Sequence, residues 1–364
     1  MNVKLKFLPK RILVIRLSSL GDVTLAAFLI RCLRVRFRKA HIAILTRPEF
    51  SEITECFTGL DETICWDKYP ASSGKFLKTL TDPRFDTVID LQNSLRTRTL
   101  LKKLKPMRLL RFHRARLNRW LRIHCHILKK SLSDPAPIAL GYFQVAKFLQ
   151  LRDDKKGLKL KAPEHWLDSG ERRIEHFFEP QDNAGEVLAI APGARHETKK
   201  LPFETWVQAL NLAWQKGFKR QVLVGAGGDR KLCDAIEAGV SHPVLNAAGE
   251  TSLGEMAGIV AVSDAFITTD SGPMHIAAGL ETPLVAIFGA TAPEFGFAPF
   301  RCVHKIVQIE DLSCRPCHKH GQEKCPKGHF RCMKDIQAAD IVDALLEMRT
   351  PQEKVVEAVK AVVE

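Results

Sequence analysis

Short apolar runs alternate with helical segments through both halves of the chain, and this alternation restricts the fold more than any other feature. Residues 11–17 (Arg11-Ile12-Leu13-Val14-Ile15-Arg16-Leu17) read as a strand, the loop Ser18-Ser19-Leu20-Gly21 follows, and a helix runs from Asp22 to about Arg38. Further strands are expected at 41–45, 86–91 and 108–112. The pattern restarts with a strand at 187–191, a helix at 202–216 closed by Gly217, a strand at 221–224 and a helix at 229–238. Strands at 265–269 and 284–288 complete it. Strands separated by helices imply βαβ units and parallel sheets.

A chain of 364 residues exceeds one typical core and suits two. The expected fold class is therefore α/β, with two Rossmann-like doubly wound domains facing across a cleft lined by strand C-terminal ends. Residues 179–185 (Glu-Pro-Gln-Asp-Asn-Ala-Gly) have linker composition, which places the hinge there. The expected domains are 1–180 and 181–335, with C-terminal helices in 336–364 packing on the body.

Charge is distributed unevenly. Residues 1–150 hold 29 Lys and Arg against 11 Asp and Glu, a net +18, while the rest of the chain is close to neutral. Such asymmetry points to a polyanionic partner for the first half: nucleic acid, an anionic membrane surface or a phosphorylated lipid. Residues 102–130 are crowded with Arg, Lys and His among apolar residues, as in a basic amphipathic segment. No run reaches the ~18 apolar residues of a membrane-spanning helix. The expectation is a cytoplasmic protein, peripheral on a membrane.

Four strand-end loops carry the chemistry. The run Thr268-Thr269-Asp270-Ser271-Gly272-Pro273-Met274-His275 follows an apolar strand and opens a small apolar helix. Asp270 or Ser271 can cap that helix, Gly272 removes side-chain bulk, and Pro273 suits a first turn. Exposed backbone N–H groups there form an anion site suited to phosphate. The loop Ser18–Asp22 lacks G-x-G-x-x-G, and Asp22 is either an N-cap or a general base. In Ala191-Pro192-Gly193-Ala194-Arg195-His196-Glu197-Thr198-Lys199-Lys200, small residues admit a phosphate and Lys199 or Lys200 could neutralise it. In Gly225-Ala226-Gly227-Gly228-Asp229, Asp229 suits a ribose hydroxyl or a helix cap.

Together these loops resemble the ADP-heptose:lipopolysaccharide heptosyltransferase family, inverting glycosyltransferases of the GT-B fold. The resemblance runs from Arg11 to about Ile336. Its carriers are S-S-L-G-D at 18–22, D-L-Q-N-S-L-R at 90–96, A-P-G-A with K-K-L-P within 191–202, N-A-A-G-E-T-S-L at 246–253 and D-S-G-P-M-H at 270–275. It implies transfer of heptose from ADP-heptose to the lipopolysaccharide inner core. Asp22 resembles the base that deprotonates the acceptor hydroxyl, and Lys199 the lysine that stabilises the diphosphate. Donor contacts are expected from Gly193, Ala194, Gly225, Asp229, Asp270, Ser271, Gly272 and His275. Acceptor contacts are expected from Ser19, Gly21, Asn93, Arg96, Arg114 and Arg116. Gly227 stands where some members place a ribose-binding glutamate, so Asp229 or another residue takes that contact. The sequence contains no D-x-D metal tripeptide, and on this reading catalysis requires no cofactor.

Two other function classes compete: a nucleotide-dependent oxidoreductase, which the missing glycine fingerprint disfavours, and a nucleic-acid-binding protein, which leaves the four loops unexplained. Cys314, Cys317, Cys325 and Cys332 lie in a short span with three histidines, so the expectation is a structural zinc or free thiols.

Overall fold

The structure, a computed structural model, describes residues 8–66, 74–113, 136–178 and 185–349. Arg114, Arg116, most of the basic 102–130 segment, the 179–184 linker and the helix expected at 352–363 lie outside the described residues. The chain divides into two units, Met1–Glu164 with Pro293–Arg301, and His165–Ala292 with Cys302–Glu364.

The first unit is built on a five-stranded parallel sheet of β1 (Arg11–Ile15), β2 (His41–Thr46), β3 (Glu62–Cys65), β4 (Thr87–Asp90) and β5 (Arg108–Arg111), in the order β3-β2-β1-β4-β5. Central strands covered on both faces must be apolar throughout. Ile12, Leu13, Val14 and Ile15 accordingly have no exposed surface. The Asp86 carboxylate accepts from Lys10 N and Arg11 N at 2.8 and 2.9 Å, which fixes the start of β1 beside that of β4. Helix α1 (Leu20–Arg36) leaves the end of β1, α2 (Gly74–Thr81) and α3 (Leu95–Leu104) flank β4, and α4 (Ile138–Val145) packs on α1.

The second unit has six parallel strands: β6 (Val187–Ala191), β7 (Arg220–Leu223), β8 (Val244–Asn246), β9 (Ala265–Thr269), β10 (Leu284–Ile287) and β11 (His304–Val307). Their order, β11-β10-β9-β6-β7-β8, is the doubly wound arrangement with its reversal between β6 and β9. In the first unit the reversal lies between β1 and β4. The sequence-based fold class holds for each unit. Strands β3, β8 and β11 were not foreseen: they are three or four residues long and lie towards the sheet edges.

The unit boundary differs from the expected 1–180. Helix α5 (Glu164–Phe177) belongs almost entirely to the second unit, where it meets α8 (Leu253–Val262) backbone to backbone. A Cβ at Gly258 would lie 2.0 Å from Trp166 O, and one at Gly170 2.9 Å from Gly258 C. Of the residues after 335, the structure describes those up to Arg349. Helix α11 (Ala338–Leu346) sends Ile341, Val342 and Leu345 into the core around Trp206 and Leu210 of α6 (Phe203–Gln215). Among the described residues no helix is long and apolar enough to cross a membrane. Gly258→Ala should lower the unfolding free energy by about 1–3 kcal/mol through overpacking. A chemical-denaturation midpoint equal to the parent's would refute that close contact.

Candidate active site

In an open parallel sheet ligands bind outside the strand C-termini where the strand order reverses. Each unit places sequence-predicted residues there. In the first unit β1 delivers the Ser18–Asp22 loop and β4 the Leu91–Ser94 loop, and the two are tied where Leu17 N donates to Gln92 Oε1 at 3.2 Å.

Asp22 lies in the first turn of α1 and is buried, as is Gly21. Its Oδ1 accepts from the Tyr142 hydroxyl at 2.8 Å, and its Oδ2 meets Arg16 Nη2 at 2.5 Å. Ser19, exposed at the N-cap position, donates to Oδ2 at 3.4 Å. Arg16 is itself held by Leu91 O at 2.8 Å, so the β4 loop braces the Asp22 partner. A charge-assisted contact and a helix N-terminus both stabilise the carboxylate's negative charge. Arg16 was recognisable only as a charge closing an apolar strand. Tyr142, 120 residues away, gave no sequence signal.

Asn93, expected to meet the acceptor, is fixed within its own loop. Its backbone is left-handed at φ 47°. Its Nδ2 donates to Phe112 O at 3.0 Å and its Oδ1 accepts from Arg98 at 3.1 Å, so the amide secures its own loop. Buried Asp90 accepts from Gln92 N, Asn93 N and Thr97 Oγ1 and fixes the same turn. Arg96 is exposed on α3.

In the second unit β6 leads into Pro192–Pro202 and β9 into Asp270 and α9 (Gly272–Leu280). Lys199 Nζ sits 2.7 Å from Asp270 Oδ2 and donates to Asp270 O at 3.0 Å. Thr291 Oγ1 donates to the same carboxylate oxygen at 2.6 Å. Burial pushes the Asp270 carboxyl up, but Lys199, Thr291 and His275 outweigh it and hold it below its ordinary value. Asp270 therefore positions Lys199 and does not cap α9. Ser271 holds the N-cap position with no capping bond from its side chain, its hydroxyl lying 3.2 Å from Thr268 Oγ1. Gly272 begins the helix and His275 is buried within it. Thr269 Oγ1 donates to Gly193 O at 2.9 Å and ties the two loops together. Ala194, half-buried, follows in the same loop.

Gly193 and Gly225 are required by Asp229. A Cβ at Gly193 would fall 2.1 Å from Asp229 Oδ1, and one at Gly225 2.9 Å from Asp229 Cβ. The Asp229 carboxylate accepts from Ala226 N at 3.0 Å, which anchors it to its own loop.

The four cysteines expected to hold zinc or to remain thiols have different surroundings. Cys314 Sγ lies 3.7 Å from His329 Nε2, Cys317 Sγ points to Ala290 O at 3.7 Å, and Cys332 is buried in the apolar core. Among the described residues no group of three or more His, Cys, Asp or Glu side chains could hold a metal ion. Cys325 and its three companions are free cysteines. Burial pushes the Cys332 thiol up to about 12.

The loop order and the Lys199–Asp270 pairing can now be set beside known proteins. The family model for glycosyltransferase family 9 (heptosyltransferase) matches residues 73–327. The chain belongs to this family. It is 29% identical over 174 residues to lipooligosaccharide heptosyltransferase 2 of Campylobacter jejuni, covering 46% of this chain and 53% of that one. The chain thus spans about half the length of that relative. With lipopolysaccharide heptosyltransferase 2 of Salmonella typhimurium the identity is 25% over 353 residues, 92% of this chain and 97% of that one. The solved structure of the E. coli ADP-heptose lps heptosyltransferase II shares the fold, with a TM-score of 0.72, 20% identity and coverage of 93% and 98%.

The Lys199–Asp270 pair has a stability consequence that can be measured. A carboxylate depressed in the folded state adds stability that is full above its unfolded value and is lost as pH falls through its folded value. For Asp270 the loss begins near the ordinary value of 3.8 and continues below it. Asp270→Asn should be less stable at neutral pH, because Lys199 loses its counter-charge, and flatter across that acid window. Urea midpoints measured from neutral pH to about pH 3 check this. Parallel curves for the two proteins would remove Asp270 as a source of the acid sensitivity.

Proposed function

We propose that this protein is an inverting heptosyltransferase, moving heptose from ADP-heptose to the inner core of a lipopolysaccharide precursor. The carrying observation is the Lys199 ammonium, fixed by Asp270 beside the N-terminus of α9 with no side-chain cap from Ser271. That arrangement suits an anion such as the donor's diphosphate. The C. jejuni and S. typhimurium relatives, both heptosyltransferases by name, support the sugar class. The E. coli relative of known structure, an ADP-heptose enzyme by name, supports the nucleotide.

In this reading an acceptor hydroxyl oxygen attacks the anomeric carbon, and its proton passes to Asp22. The bond from that carbon to the diphosphate oxygen breaks as the new glycosidic bond forms on the opposite face. Lys199 and the first N–H groups of α9 take up the negative charge of the departing ADP. Tyr142 and Arg16 hold the Asp22 carboxylate in one orientation, so its ordering is not left to the moment of reaction. The reaction needs a base and a diphosphate-stabilising cation, and the chain's own residues supply both, so no metal is required. The basic first half matches an acceptor bearing phosphates and carboxylates, at the cytoplasmic face of the inner membrane.

Transfer to purified acceptor, followed by mass spectrometry of the product, tests the donor and acceptor assignments. Asp22→Asn should lower kcat by about 10²–10⁴-fold while ADP binding persists. Lys199→Ala should weaken both ADP binding and turnover, the latter by about 10²-fold. Turnover retained by Asp22→Asn would take the base role away from Asp22.

A further inference from the structure

The cysteine-rich segment lies against Lys199 through Gly321 and reaches Asp270 by way of Thr291. Thr198, next to Lys199 and 2% exposed, is clipped to it in both directions. Thr198 N and Thr198 Oγ1 donate to Gln322 O at 3.0 and 2.9 Å, while Gln322 N donates to Thr198 Oγ1 at 2.8 Å. Gly321, at φ 86°, lies flat against the lysine: a Cβ there would fall 3.1 Å from Lys199 Cγ and 3.0 Å from His196 Cβ.

The same segment reaches Asp270 through Thr291. Cys317 N donates to Ala290 O at 3.1 Å. The buried Arg315 guanidinium donates to Gly289 O at 2.6 Å and to Thr291 O at 3.2 Å. Thr291 in turn donates its hydroxyl to Asp270. One stretch of chain thus sets the backbone on both sides of the ion pair.

We propose that Thr198 is a positioning residue for donor binding: its hydroxyl, locked to Gln322, fixes where Lys199 meets the diphosphate. This rests on the heptosyltransferase reading above. A flexible lysine tethered at Cα alone explores many rotamers, and the clip together with the flat face of Gly321 restricts it to the one that reaches Asp270. The role is indirect, since Thr198 acts through Lys199.

Three variants test it. Thr198→Val keeps the shape of the side chain and removes the hydroxyl, leaving both Gln322 groups without that partner. It should weaken ADP binding and raise the donor KM by about tenfold, with the acceptor KM unchanged. Thr198→Ser restores the hydroxyl and should return both values to within about twofold of the parent. Gly321→Ala, which presses on the Lys199 stem, should shift the same donor parameters in the same direction, and it carries the test if Thr198→Val does not fold by circular dichroism. ADP affinity by calorimetry and donor KM within twofold of the parent in folded Thr198→Val, with Lys199→Ala defective in both, would overturn the positioning role alone. An undisturbed Lys199→Ala would overturn the diphosphate assignment and this inference with it.

Discussion

The ion pair of Lys199 and Asp270 organises the second unit's strand-end surface. Both side chains are largely withdrawn from water, at 14% and 10% exposure. Two buried charges lose hydration worth several kcal/mol each, and their attraction repays that only with good geometry and added hydrogen bonds. The added bonds are present: Thr291 Oγ1 on the carboxylate, and Asp270 O on the ammonium. Net stabilisation from such a pair is small. Its value is positional, because it places a cation where β9 ends and α9 begins. Neighbouring features serve that placement: Thr269 holds Gly193, Thr198 holds Gln322, and Arg315 holds the Thr291 turn.

The two units repeat one construction with opposite electrostatic outcomes. In each, an aspartate just before the strand beyond the reversal accepts from the first strand's opening N–H: Asp86 from Arg11 N, Asp264 from Val187 N. In each, the strand-end loops on either side of the reversal are stitched together, by Leu17 with Gln92 in one and Thr269 with Gly193 in the other. The first unit then presents a carboxylate steadied by an arginine and a tyrosine. The second presents an ammonium steadied by an aspartate and a threonine. In the proposed reaction one of these charges would take a proton and the other would meet the leaving group.

How far this could be read from the sequence depends on the range of each interaction. The apolar runs of β1, β2, β6 and β9 are buried on both faces and stand out as continuous hydrophobic stretches. Edge strands such as Glu62–Cys65 and His304–Val307 carry polar residues and are too short to announce themselves. Asp22 and Lys199 were legible because loops after strands expose chemistry locally. The contacts around them were not, since Tyr142 comes to Asp22 from 120 residues away, Thr291 to Asp270 from 21 and Gln322 to Thr198 from 124. The 1–180 boundary failed for a related reason. Linker composition marks where a chain can bend, whereas the division follows where α5 finds its backbone contact, and that depends on Gly170 and Gly258 together.

The cysteines draw attention to a segment whose backbone also has a part in the site. Burial raises the Cys317 and Cys332 thiols above their ordinary value. The work of this stretch is done by groups that every peptide carries, the N–H and C=O of Gln322 and the N–H of Cys317, joined by one buried guanidinium. A backbone held in this way is a stiffer support than side chains, because its dihedrals are already fixed by the fold. A support of that kind suits the role proposed for Lys199, since any freedom left to the lysine would have to be removed again on binding a diphosphate.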